Sequence, residues 1–295
     1  MPAKNVTVPD TGSLAATDAL GRQTVSAGES EKKVGIFYFL WLGEHGTAGP
    51  YNNTAFVEAH PDAIESEEKW MEYGGGVLPQ ILNAVSVLKK YGVDFNILSV
   101  VDDRNAKEIE STWNYFKKHG FDYLQFIPYV DEGNGVSLSA EAYGEFLKKS
   151  FDLWYDDYMR GKYVSVRHID NYIGIMLGRP PENCAMCGVC GSYFVAEANG
   201  DLYPCDFYCK DEYKLGSIFG AEPFAINETH RRFIAASEAI HPHCEGCKYY
   251  ALCRGGCRRD RTDHDTKNRY CEAYCDFFDY AAERMLRVAQ LLAYS

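Results

Sequence analysis

A chain of 295 residues with 46% hydrophobic content is long enough to bury a core and to form more than one folding unit. Its formal charge of -12, with no Lys/Arg-rich run, excludes nucleic-acid and anionic-membrane partners, which require cationic neutralisation of phosphate. No apolar stretch reaches the roughly 18 residues that span a bilayer, and the polar N-terminus has no charged start followed by an apolar stretch, so the expected location is cytoplasmic.

Residues 1–32, rich in Ser, Thr, Ala, Gly and charge without an apolar period, read as a flexible leader. Residues 33–73 form an unassigned segment, for which a foreign fusion is one reading. It opens with a β-branched and aromatic run, Val34–Trp41, expected as a buried strand, and continues into a Gly-rich stretch where Glu44 and His45 read as a polar turn. Gly74–Gly76 reads as a joint. Beyond it, Val77, Leu78, Ile81, Leu82, Val85 and Leu88 recur at helical spacing, with Gly92 at the expected C-terminal cap. A strand over Val93–Val101 follows, then a helix marked by Ile109, Trp113 and Phe116, then a strand over Phe121–Val130. Helix and strand in alternation predict an α/β fold whose βα units, over residues 74–165, build a parallel sheet. Ser139 stands three residues before Ala142 as an N-cap, and Phe146, Leu147, Phe151 and Trp154 share one face of the helix behind it. That helix leads toward an irregular Cys-rich region, residues 166–280, and a C-terminal helix over 281–295.

All eleven cysteines lie between residues 184 and 275. Without an export signal, such clustering points to metal or cofactor ligation rather than disulfides. The first group holds Cys184, Cys187, Cys190, Cys205 and Cys209, with a hairpin signal (YFVAEA, Asn199-Gly200, DLYPC) that sets Cys190 and Cys205 to face a common ion. The second places Cys244, Cys247, Cys253 and Cys257 in a C-x2-C-x5-C-x3-C array, and Cys271 and Cys275 close the region. Thiolates two residues apart on a tight turn converge on one metal centre, and a cluster takes four, so eight ligands make two [4Fe–4S] clusters. Tetrathiolate sites also suit Zn²⁺, which leaves a zinc-binding structural domain as an alternative. Arg254, Arg258, Arg259 and Arg261 read equally as a cationic patch facing substrate or cluster, or as surface ion pairs with neighbouring Asp.

The order C-x-M-x-G-x-C from Cys184, then GDLYPCDFY, the C-x2-C-x5-C-x3-C array with RGGCRRDR, and NRYC before FF resembles the SPASM domain of anaerobic sulfatase-maturating radical SAM enzymes. VLKKYGVDFNILSVV and GFDYLQFIPYV are similar to the later strands of that family's partial barrel. The resemblance runs from about Gly75 to the C-terminus and leaves residues 1–73 unmatched.

It implies a truncated radical SAM-type βα barrel half followed by a SPASM-type domain. Cys184, Cys190, Cys205 and Cys257 would bind one auxiliary cluster, and Cys244, Cys247, Cys253 and Cys271 the other. Cys271 is chosen over Cys275 by its NRYC context, and Cys187 and Cys209 would be spare thiols. In the YPCD context Asp206 would act as general base. The implied reaction oxidises a Cys or Ser of a peptide or nascent sulfatase to formylglycine, with S-adenosylmethionine supplying the radical. The C-x3-C-x2-C loop that holds the radical-generating cluster is absent, since no cysteine precedes Cys184, so a truncated or fused chain, inactive alone, is expected. A non-catalytic iron–sulfur electron-transfer or peptide-binding module is the alternative from a different class.

Overall fold

The computed structural model of the chain describes residues 78–90, 92, 94–130, 136–197, 199–220, 227–262 and 265–294. The strand expected at Val34–Trp41, the turn with Glu44 and His45, and the joint at Gly74–Gly76 lie outside the described residues. The chain divides into two units, Met1–Val93 and Asp94–Ser295. In the first, α1 (Leu78–Lys90) ends on Lys89 and Lys90, cations placed where the helix dipole favours them.

The second unit is mixed α/β. Three strands, β1 (Ile97–Val101), β2 (Tyr123–Pro128) and β3 (Ser165–Val166), form a parallel sheet in that order, with Ile97 opposite Leu124 and Tyr123 opposite Ser165. Parallel neighbours need a crossover between them. Here α2 (Ile109–Lys118) joins β1 to β2, and α3 (Ala140–Met159) joins β2 to β3. Ile109, Trp113 and Phe116 are the buried residues of α2, the stripe that its periodicity predicts. Ser139 Oγ accepts from Ala142 N at 3.2 Å and starts α3, whose buried residues include Phe146, Leu147, Phe151 and Trp154.

The two crossover helices are locked together by a polar contact that spans 44 residues of sequence. Asp157, 4% exposed, accepts from Trp113 Nε1 at 2.9 Å and from Lys117 Nζ at 2.6 Å. Burial works against its charge, but these two donors win and hold the carboxyl below its ordinary range. Behind them, a long closing helix, Cys271–Ala293, packs against α3 and against α4 (Arg167–Met176). The closing helix comes so near α3 that a Cβ on Gly144 would lie 3.4 Å from Ala273 Cα. Phe277, Phe278, Ala281, Met285 and Val288 are buried there, each large side chain contributing about 1.5–3 kcal/mol through its removal from water. That packing holds the start of the helix, where Cys271 and Cys275 stand one turn apart. Among the described residues, no helix is long and apolar enough to cross a membrane.

Candidate metal centres

Between α4 and the closing helix the chain runs through short elements, and several of these or the turns beside them carry the cysteines. Asn183 Oδ1 accepts from Ala185 N at 3.1 Å and caps the 3-10 turn that carries Cys184. The expected hairpin forms from β4 (Val195–Ala196) and β5 (Asp201–Tyr203), antiparallel with Val195 opposite Tyr203, and β6 (Gly216–Ser217) adds a third strand. Cys205 leaves β5 in extended backbone and caps a 3-10 turn at Asp206–Tyr208. Helices α5 (Glu228–Ser237), α6 (Pro242–Glu245) and α7 (Tyr250–Cys253) follow, then β7 (Arg261–Thr262), β8 (Asp265–Asn268) and the closing helix α8. Between Cys253 and Cys257 three successive residues, Arg254, Gly255 and Gly256, take left-handed φ values of 48°, 81° and 64°. Two glycines make this run affordable, because a side chain at positive φ strains the backbone.

That turn separates the two cysteines it joins. Cys257 lines a cavity of about 30 Å³ together with Cys184, Cys190 and Cys205. Cys253 lines a second, of about 20 Å³, with Cys244, Cys247, Cys271 and Cys275. Cys187 and Cys209 border neither of these cavities; their thiols point to backbone oxygens, Cys187 to Asn183 O at 3.6 Å and Cys209 to Cys205 O at 3.7 Å. No cysteine is in a disulfide.

Burial pushes the Cys205 and Cys253 thiols up to about 11 and Cys257 up to about 12, and it also raises Cys184, Cys244 and Cys271. A thiol so held is neutral at pH 7, and it yields its proton to a metal that takes its place. Four soft sulfur donors converging on one cavity fit an iron–sulfur cluster, and equally a tetrathiolate zinc.

Asp206 is exposed beside the first cavity. Its Oδ1 accepts from Tyr193 Oη at 2.6 Å and from Cys205 Sγ at 3.3 Å, and Tyr193 Oη is itself 3.3 Å from Cys205 Sγ. Partial burial and the Asp206 carboxylate raise Tyr193 above the ordinary phenol range, so the phenol keeps its proton and donates it. The arginines divide. Arg258 lines the first cavity and lies over the rings of Phe233 (4.7 Å) and Tyr208 (5.2 Å), with Nη1 donating to Phe233 O at 3.2 Å. Arg261 also lines it, anchored on Ser237 O at 3.0 Å and Ala239 O at 2.9 Å. Arg259 pairs with Asp260 at 3.7 Å, both side chains under 10% exposed (9% and 6%), so this is a buried pair and not a surface one. Its Nη2 also reaches Pro128 O at 3.3 Å, and Tyr270 Oη reaches Tyr129 O at 3.4 Å. These two bonds seat the cysteine region at the C-terminal end of β2, the end of a parallel sheet where ligands are commonly held.

Three features of the site went unread in the sequence. Tyr193 stands beside Asp206, Ser237 Oγ accepts from Cys190 N at 2.9 Å, and His230, 2% exposed, has neither ring nitrogen hydrogen-bonded among the described residues. No spacing rule marks a lone Tyr, Ser or His as neighbour to a residue a dozen or more positions away.

No protein-family model matches the chain. The resemblance drawn from the cysteine motifs is nevertheless borne out by individual proteins. A cysteine-type anaerobic sulfatase-maturating enzyme of Clostridium novyi is 38% identical over 232 residues, 74% of this chain and 62% of that protein. The corresponding enzyme of Clostridium perfringens is 41% identical over 223 residues, 71% and 60% of the two chains. A serine-type enzyme of Bacteroides thetaiotaomicron is 28% identical over 253 residues, 76% and 61%. The solved structure of native anSMEcpe with bound AdoMet and Cp18Cys peptide superposes with a TM-score of 0.68 at 37% identity, covering 73% of this chain and 63% of its own. The chain thus spans about 60% of the length of the curated relatives it matches.

Proposed function

We propose, from this similarity and from the two thiol-lined cavities, that the chain serves anaerobic sulfatase maturation as the part of a radical SAM/SPASM protein that holds two auxiliary [4Fe–4S] clusters and the general base. The reaction is oxidation of a Cys or Ser in a sulfatase peptide to formylglycine. In this reading β1 and β2 with α2 and α3 are the later units of a radical SAM-type barrel within residues 74–165, residues 166–280 are the SPASM domain, and residues 281–295 are the C-terminal segment that holds the end of α8. Eleven thiols free of disulfides suit the reducing cytoplasm.

The observation that carries the proposal is the partition of the thiols. Cys184, Cys190, Cys205 and Cys257 line one cavity, while Cys244, Cys247, Cys253 and Cys271 line another with Cys275. Those four-residue sets would hold the clusters. A [4Fe–4S] centre, when bound, supplies a one-electron acceptor. The chain's own residues do the rest. The Asp206 carboxylate takes a proton from the substrate side chain on its other oxygen, Oδ2, and Tyr193 fixes the orientation of that carboxylate through its 2.6 Å hydrogen bond to Oδ1. Arg258 and Arg261 offset the thiolate charge of the first cavity. The rings of Tyr208 and Phe233 back the Arg258 guanidinium and keep water from it.

The residues present do not fit the cluster that cleaves S-adenosylmethionine, because residues 1–183 contain no cysteine. The same fact favours a second reading, a non-catalytic module that docks a peptide or passes electrons. One experiment separates them. The chain is joined to the unmatched part of the Clostridium perfringens enzyme, loaded anaerobically with iron and sulfide, and incubated with S-adenosylmethionine, reductant and a Cys-containing sulfatase peptide. Formylglycine found by mass spectrometry, and lost in Asp206→Asn at unchanged iron content, supports the maturase. An iron-loaded chimera that makes none, with or without Asp206, supports the module.

A further inference from the structure

The second cavity offers one thiol more than a four-iron cluster uses. Five cysteines line it, and two of them, Cys271 and Cys275, belong to the same helix one turn apart. Residues four apart on an α-helix project from one face, so both sulfurs are presented to the same space. Their Sγ atoms and a ring nitrogen of His243 lie within 4.8 Å of one another. The Cys275 thiol is in hydrogen-bond contact with both Cys271 and Cys247. It is therefore seated among the ligands, unlike Cys187 and Cys209, which border neither cavity and turn to backbone oxygens.

We propose that Cys275 is an alternative fourth ligand of the second centre, exchangeable with Cys271, so that α8 gives this cluster two interchangeable attachment points. The proposal rests on the reading of the second cavity as a cluster site. The helix is held by Phe277, Phe278 and Met285 in the core, and the two sulfurs lie within 4.8 Å of each other on it, so the exchange is one of side chains. In the exchange an iron–sulfur bond to Cys271 breaks and one to Cys275 forms. The Cys275 proton passes to solvent, the released Cys271 thiolate takes one up, and no electron is transferred. A centre with a spare ligand survives the oxidation or alkylation of either thiol, which a centre with four does not.

The test is iron and acid-labile sulfide content of the full chain after anaerobic reconstitution, with electron paramagnetic resonance of the reduced protein, for wild type, Cys275→Ala, Cys271→Ala and the double variant. Two four-iron centres give about eight irons. The expected counts are about eight for wild type and both single variants and about four for the double variant. The first centre, with untouched ligands, reports folding in every sample. Cys271→Val, which keeps the side-chain volume, must match Cys271→Ala. A fall to about four irons in Cys271→Ala alone overturns the proposal, because Cys275 has then failed to replace it. Retention of about eight in the double variant also overturns it, since His243 or another group is then the substitute. A wild-type chain that binds no iron fails the underlying reading instead, and the two failures are distinct.

Discussion

Gly256 joins the two centres in a way that a single methyl group tests. At φ 64°, a Cβ built there would lie 2.4 Å from Asn268 Nδ2 and 3.3 Å from its Cγ. Asn268 cannot simply swing away. It is 5% exposed, its Oδ1 accepts from Tyr270 N at 2.8 Å, and its Nδ2 donates to Gly255 O at 3.3 Å. Gly256→Ala therefore carries two costs: about 1–2 kcal/mol for a left-handed alanine, and about 1–3 kcal/mol for the buried amide and N–H left without partners when Asn268 is displaced. Gly161, at φ 75° with nothing within 4 Å of its Cβ position, carries only the first cost. Urea unfolding of the metal-free chain, followed by circular dichroism, should rank wild type above Gly161→Ala and Gly161→Ala above Gly256→Ala, the last gap being about 1–3 kcal/mol. Reconstituted Gly256→Ala should also bind less iron at both centres, since Cys257 follows the glycine and Cys271 follows Tyr270. Equal destabilisation by the two alanines would refute the account of Asn268 as a fixed strut.

Other expectations follow from individual contacts. Cys257→Ala should remove the first centre alone, lowering iron from about eight to about four per chain, whereas Cys209→Ala should leave the count unchanged. Tyr193→Phe takes away the hydroxyl that lies 2.6 Å from Asp206 and 3.3 Å from Cys205 Sγ. The phenol's single proton goes to Asp206, so a redox titration of the first centre should stay unmoved; a shift to a more negative potential would show that the phenol donates to the ligand sulfur instead, since hydrogen bonds to ligand sulfur favour the reduced cluster. For Asp157 the sign is set by a folded-state pKa lowered from 3.8. Its stabilisation is complete above the unfolded value and is lost as pH falls below that value through the folded one, so this part of the acid dependence of stability should disappear in Asp157→Asn. At pH 7 that variant should lose about 1–3 kcal/mol, below the usual figure for a broken buried pair because Lys117, 35% exposed, can turn to water.

The regular part of the fold was legible wherever one period was at work. Ile109, Trp113 and Phe116 marked α2 and Ser139 marked the start of α3, because burial on one face and an unpaired first turn are local demands. Boundaries were less so. The strand expected over Phe121–Val130 runs Tyr123–Pro128, ending at a proline that cannot donate to a ladder, and the one expected from Val93 begins at Ile97. The site divides in the same way. The hairpin that brings Cys190 and Cys205 toward one cavity could be read from Asn199-Gly200. The assignment of Cys257 to that cavity could not be read from spacing, since C-x3-C suggests a shared metal with Cys253. It came from the resemblance, and its physical cause is the left-handed run at Arg254–Gly256. The division of the arginines was hidden altogether, because whether Arg258 stacks on Tyr208 or Arg259 pairs with a buried Asp260 depends on chain segments far from both.

The central claim is that these eight cysteines hold iron–sulfur clusters, and metal analysis with Mössbauer spectroscopy of the anaerobically purified and reconstituted chain addresses it most directly. The account predicts a brown protein with about eight irons and matching sulfide in two [4Fe–4S] signals. A colourless protein carrying zinc in tetrathiolate sites would contradict it.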